Sequence, residues 1–157
     1  VDPKAVAALA DAAGVGPATA VRPLAGGANN RVFRLDTRTG PVLLKSYFRH
    51  PDDPRDRLGA EWAFGRFAWD AGVRCVPRPL AADPANGLAL YEYVPGRSMH
   101  GTTATDADVD AAIDFARALH AAKDTASVLP RASESCFSLE DHFGTVARRV
   151  ERLRSLP

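Results

Sequence analysis

Cysteine is nearly absent from this chain. The two present, Cys75 and Cys136, cannot make a disulfide framework or a metal cluster between them. No apolar run approaches the roughly 20 residues needed to span a bilayer, and Val1-Asp2-Pro3-Lys4 has no signal-peptide layout. An excess of charge of either sign is missing too. Twenty basic and 19 acidic residues give a formal net charge of +1, which attracts neither nucleic acid nor an anionic membrane as a whole-molecule effect. There is no internal repeat and no low-complexity tract. These absences predict a cytoplasmic globular protein. At 157 residues, 46% of them hydrophobic, it can bury one respectable core or one small core with an appendage.

Local signals then set out the order of elements. Asp2 followed by Pro3 is a helix start, with a capping oxygen and a proline at the first helical position. Val6, Leu9, Ala10 and Ala13 recur at helical spacing, and Gly14 is placed to end the helix. Val21-Arg22-Pro23-Leu24 reads as extended. Arg31–Asp36 alternates at period two, and Pro41–Tyr47 follows as a strand after the Thr37–Gly40 hairpin. The prolines and charges of Arg49 to Arg57 predict a surface loop. Leu58, Trp62, Phe64, Phe67, Ala68 and Trp69 predict an apolar helix ending at Gly72. Pro77-Arg78-Pro79-Leu80 leads into a short extended segment, and Leu88–Val94 is the last strand, stopped by Pro95-Gly96. Beyond Gly96 only helices are expected. One is capped by Thr105 and Asp108, with Val109, Ala112, Ile113, Ala116 and His120 on one face. The other starts at Ser138 and carries the stripe Leu139, Phe143, Val146, Val150, Leu153.

Four features carry chemistry. The turn Gly26-Gly27-Ala28-Asn29-Asn30 between two strands lets backbone N–H groups approach phosphate oxygens, although Gly-Gly and Asn-Asn are also plain turn formers. It is neither a Walker A loop nor a dinucleotide fingerprint, because no Gly-Lys-Ser/Thr follows and the next element is a strand. Lys45, beside Val42-Leu43-Leu44, can project from a sheet into a cleft as a compact cation for phosphates, or else snorkel into water. Glu61, among Ala60, Trp62, Ala63 and Phe64, is the carboxylate that would hold such a lysine. The competing partner is Arg57, four residues earlier on the same helix. The strand end Tyr91-Glu92-Tyr93 before Pro95-Gly96 is placed as a hinge. It would offer the Tyr91 carbonyl and the Tyr93 N–H to an adenine edge, in a cleft lined by Leu24, Val32 and Leu43 or Leu44.

Glycine hairpin, strand lysine, helix glutamate, two strands, hinge and helices follow one another in the order of a kinase N-lobe. Leu24-Ala25-Gly26-Gly27-Ala28-Asn29-Asn30-Arg31-Val32-Phe33 resembles the Gly-Gly-x-x-Asn loop of the aminoglycoside phosphotransferase and choline kinase-like family. Val42-Leu43-Leu44-Lys45, Glu61, Val76-Pro77-Arg78-Pro79-Leu80 and Leu90-Tyr91-Glu92-Tyr93-Val94-Pro95-Gly96 fall in that family's order. The resemblance implies an α+β, protein-kinase-like N-lobe over residues 1–94: a five-stranded antiparallel sheet, one packed helix and an extra N-terminal helix. Residues 95–157 would hold the hinge and first helices of an incomplete C-lobe. It also implies ATP as cofactor, bound through Gly26, Gly27, Asn29, Asn30, Lys45, Glu61, Tyr91, Glu92 and Tyr93, and phosphoryl transfer to a hydroxyl of a small molecule.

The family's catalytic aspartate sits in a His-x-Asp segment. The one such spelling here, His50-Pro51-Asp52, lies in the loop before the glutamate helix, on the wrong side of the hinge. His120 resembles a structural histidine of the helix that precedes the catalytic loop. The expectation is therefore a fragment with no catalytic residue of its own and with magnesium ligands beyond residue 157. The apolar stripe 139–153, roughly a few hundred Å², would be covered by a missing C-lobe or in a dimer. The rival expectation is a non-catalytic, kinase-like nucleotide-binding or interaction module. Nucleic acid is not expected as a partner, because Arg148, Arg149, Arg152 and Arg154 alternate with Glu151 on a solvated helix face.

Overall fold

A computed structural model describes residues 1–25, 30–51, 53, 55–96, 99, 101–132 and 135–154. The elements run α1 (Pro3–Ala12), β1 (Ala18–Leu24), β2 (Arg31–Thr37), β3 (Gly40–Ser46), α2 (Arg57–Asp70), β4 (Pro79–Asp83), β5 (Leu88–Glu92), α3 (Asp106–Ala121), a 3-10 helix (Lys123–Val128) and α4 (Leu139–Arg154). The five strands form one antiparallel sheet in the order β1-β2-β3-β5-β4. The fold is thus α+β, as expected, and the helices after Gly96 add no strand among the described residues.

Alternation along the strands makes two faces, and a different helix covers each. On one, Leu35, Val42, Leu44, Leu88 and Leu90 are buried under Ala5, Val6, Leu9 and Ala10 of α1. On the other, Tyr47, Ala89 and Tyr91 pack with Leu58, and Leu43, Ala82 and Trp62 lie against them. So the extra N-terminal helix is a cover for the sheet, and the neighbours Leu43 and Leu44 belong to opposite faces. Leu43 is half-buried on the α2 side; Leu44, 0% exposed, is α1-side core.

The helix ends follow from their residues. Asp2 accepts the Lys4 N–H at 3.0 Å and Asp56 the Gly59 N–H at 2.8 Å. Thr105 and Asp108 form a reciprocal capping box at α3. At the far end of α2, Gly72 takes φ +84°. Its N–H reaches the Trp69 carbonyl at 3.0 Å, and the Val73 N–H reaches that of Ala68 at 2.9 Å. Gly65 serves differently: a Cβ there would lie 3.0 Å from Pro79 Cγ, so the bare backbone lets α2 approach β4.

Two expectations are corrected. The last strand stops at Glu92 rather than Val94. The β3–β5 register, Val42 against Glu92, would set Tyr93 opposite Pro41, which has no N–H to continue the ladder. And α2, although apolar in composition, buries only Leu58 and Ala68, leaving Phe64 exposed. Neither α3 nor α4 has a buried residue, and Leu139, Phe143, Val146, Val150 and Leu153 are all exposed.

Candidate functional site

Lys45 sits near the end of β3 on the α2-covered face, with Leu43 and Tyr47. Its Nζ donates to both oxygens of Glu61, at 2.8 and 2.6 Å. The competing arrangement, Arg57 with Glu61, is not the one formed. Arg57 turns back to Asp53 at 2.6 Å, which also binds Arg55. Those arginines, Arg55 first, hold the Asp53 carboxyl well below the usual carboxylate range. They brace the loop that delivers α2, while Leu58 anchors the helix and places Glu61 one turn further on.

The lysine and glutamate side chains are 20% and 41% exposed. An ion pair this accessible is worth at most about 1 kcal/mol to folding. Its importance is positional: it fixes a cation on the α2-covered face of the sheet, at an address set by a strand and a helix. Leu24 and Val32 share that face in register, Leu24 opposite Val32 and Val32 opposite Lys45. Three apolar side chains and one oriented ammonium therefore line a single wall. Apolar surface beside a fixed ammonium is a wall that suits an anionic ligand with a flat apolar part.

The remaining site residues are distributed less simply. Gly26, Gly27 and Asn29 lie outside the described residues. Asn30 accepts the Phe48 N–H at 3.2 Å, tying the hairpin's end to the segment after β3. Glu92 is exposed and clamps Arg78, its backbone N–H donating to the Arg78 carbonyl at 2.8 Å and its carboxylate accepting the Arg78 N–H at 3.3 Å. The Tyr93 ring lies beneath the Arg34 guanidinium, 4.9 Å from it, and Arg34 is held by Asp36 at 2.7 Å. Sequence reasoning missed this contact between β2 and the segment after β5.

Tyr91 does not present its carbonyl to a cleft. Tyr47 N–H donates to the Gly87 carbonyl at 2.9 Å. Bonded pairs alternate along an antiparallel ladder, so Leu43 and Tyr91, an even number of places away, exchange backbone hydrogen bonds. The Tyr91 hydroxyl is engaged as well, 2.8 Å from that of Tyr47. Tyr47 was the other residue missed; the i, i+2 spacing from Lys45 was the available signal, since it sets both on one face.

Two cavities of about 670 and 860 Å³ lie between α2 and, respectively, Leu129–Ala132 and residues of Ala118–Val128, and Lys45 lines neither. Among the described residues no three His, Cys, Asp or Glu side chains converge to hold a metal ion. No helix among them is long and apolar enough to cross a membrane.

The sequence pattern of the phosphotransferase enzyme family matches residues 20–155, from β1 through α4. This chain belongs to that family. A comparison with individual curated proteins finds no match. The matched span takes in the sheet from residue 20 onward, the Lys45–Glu61 pair and the helices after Gly96.

Proposed function

We propose that this chain is the ATP-binding portion of a phosphotransferase that moves the γ-phosphate of ATP to a hydroxyl of a small molecule. The observation that carries the reading is the Lys45–Glu61 pair, two short hydrogen bonds between β3 and α2 in a chain of this family. A lysine held at both carboxylate oxygens is pre-oriented, so little is lost in ordering it when an anion arrives. The glycine hairpin, Gly26 and Gly27 with Asn29 and Asn30, supplies backbone donors to the phosphates. The adenine edge faces the connector from Tyr93 onward, because Tyr91 is committed to the ladder. ATP, when bound, supplies the phosphoryl group, and the residues of this chain bind and orient it.

In this reading residues 1–94 are the nucleotide-binding lobe and 95–157 the hinge and first C-lobe helices. Magnesium ligands and the catalytic base come from outside the chain, since its His-x-Asp spelling precedes α2. The exposed face of α4 is covered by further C-lobe structure or by a second copy. A cytoplasmic setting supplies the ATP. Calorimetry with ATP and magnesium tests the proposal. The chain is expected to bind at about millimolar Kd, to turn nothing over, and to lose about tenfold or more in Lys45→Ala, the worth of a charge-assisted contact. Equal binding by wild type and variant would remove Lys45 from the phosphates. Micromolar, magnesium-dependent binding would mean that the acidic residues of a complete site are already present.

A further inference from the structure

β5 ends at Glu92, yet the residue beyond it is held. Tyr93 is half-buried, and among the described residues neither its N–H nor its carbonyl is taken by another backbone group. Its ring supplies the contact, lying under the guanidinium of Arg34 with 4.9 Å from Cζ to the ring centroid. Arg34 is fixed in turn from its own strand. Its Nε donates to Asp36 at 2.7 Å, and the other oxygen of that carboxylate takes Arg22 of β1 at 3.2 Å. Arg34 pairs with Leu43 in the β2–β3 register, so it stands on the face of Val32, Leu43 and Lys45. Arg22, Asp36, Arg34 and Tyr93 thus form one line of contacts, from the edge strand β1 to the first residue after β5.

We propose that Arg34 is a positioning residue for the nucleotide base: it latches Tyr93, and so sets where the connector after β5 stands relative to the apolar wall of the sheet. The proposal rests on the reading in which the base edge meets that connector. A base read at its edge needs a constant distance between the wall it lies on and the backbone groups it bonds. The strand ladder cannot fix that distance past Glu92, because Pro41 has no N–H to offer the Tyr93 carbonyl. A side-chain contact from β2 fixes it and leaves the Tyr93 backbone groups unspent, which another rung of sheet would not. Asp36 makes the latch stiff. An arginine stem is flexible, but a guanidinium bonded at its edge to a carboxylate keeps a flat face for an aromatic ring. Arg34 therefore acts through Tyr93, while Lys45 receives the phosphates.

The test uses this chain with Arg34→Gln, Tyr93→Leu and the two combined. Neither residue belongs to the buried clusters, so the variants should fold. The sequence has only three tyrosines, Tyr47, Tyr91 and Tyr93, so NMR of tyrosine-labelled chain reports Tyr93 beside two buried controls. Arg34→Gln is expected to move the Tyr93 ring and amide signals and to leave those of Tyr47 and Tyr91 in place. Titrations then compare ATP with inorganic tripolyphosphate, which carries the charge without the base. Each single variant should weaken ATP binding about two- to fivefold, the worth of a cation–π contact. The double variant should lose no more than that, since both changes break the same link. Tripolyphosphate affinity should hold in Tyr93→Leu, which removes no charge, and fall in Lys45→Ala. Tyr93 signals indifferent to Arg34→Gln would overturn the proposal. So would ATP losses that add in the double variant, or an equal loss of tripolyphosphate in Tyr93→Leu. A wild-type chain that binds no ATP would sink the nucleotide reading instead, and the Tyr93 signals would still decide whether the latch exists.

Discussion

Leu43→Ala and Leu44→Ala alter adjacent residues on one strand, and the fold assigns them opposite consequences. Leu44 is 0% exposed beneath α1, surrounded by Leu9, Leu35 and Leu90. Truncating such a leucine removes its transfer free energy and leaves a cavity, costing about 2–5 kcal/mol. In a chain of this size each kcal/mol moves Tm by about 2–4 °C, so the expected fall is roughly 4–20 °C. Leu43 is only half-buried on the other face. Its truncation is expected to cost about 1 kcal/mol of folding free energy. If a nucleotide base rests on it, a similar loss of apolar contact should weaken ATP binding about fivefold. Circular dichroism melts give the first quantity, and an NMR titration with ATP well below both melting temperatures gives the second. The reasoning requires a crossed pattern, stability lost at Leu44 and affinity lost at Leu43. Equal destabilisation by the two variants would refute the assignment of faces. An affinity loss confined to Leu44→Ala would put the ligand on the α1 side of the sheet.

Two further outcomes follow from the geometry. The Tyr47 hydroxyl is pushed well above the ordinary tyrosine range by burial and its bond to Tyr91, and burial pushes Tyr91 up to about 12. Folded values above the unfolded one mean that this stabilisation is complete below about pH 10. It is lost as pH rises through the folded values, so the Tyr47→Phe/Tyr91→Phe chain should unfold at higher pH in an alkaline titration. An unchanged midpoint would deny the coupling. Gly72→Ala places a Cβ at φ +84° in the turn that ends α2, and is expected to cost about 1–2 kcal/mol in a thermal melt. A variant as stable as the wild type would show that the turn relaxes at no cost.

Much of this was legible in the chain itself, for local reasons. Caps at Asp2 and Thr105 and the glycine stop at Gly72 depend on neighbours within a few residues, so these helix ends could be placed from the sequence. Strand alternation set Lys45 on the face of Leu43 and away from Leu44. What alternation could not say is which face meets which helix, and that choice decides whether Leu43 or Leu44 belongs to the site. The Lys45–Glu61 pair was foreseen only through the order of family motifs. Composition allowed Arg57 equally, until Asp53 took it.

The tertiary structure alone decided the rest, because the partners are distant in sequence. β5 enters the sheet between β3 and β4, and that insertion brings Tyr91 to Tyr47 across 44 residues. The same ladder consumes the Tyr91 carbonyl, and Pro41 ends the pairing opposite Tyr93. A strand's own residues fix its two faces and its propensity to extend. Its neighbours in the sheet, and hence which of its backbone groups remain for a ligand, follow from long-range packing that no local pattern encodes.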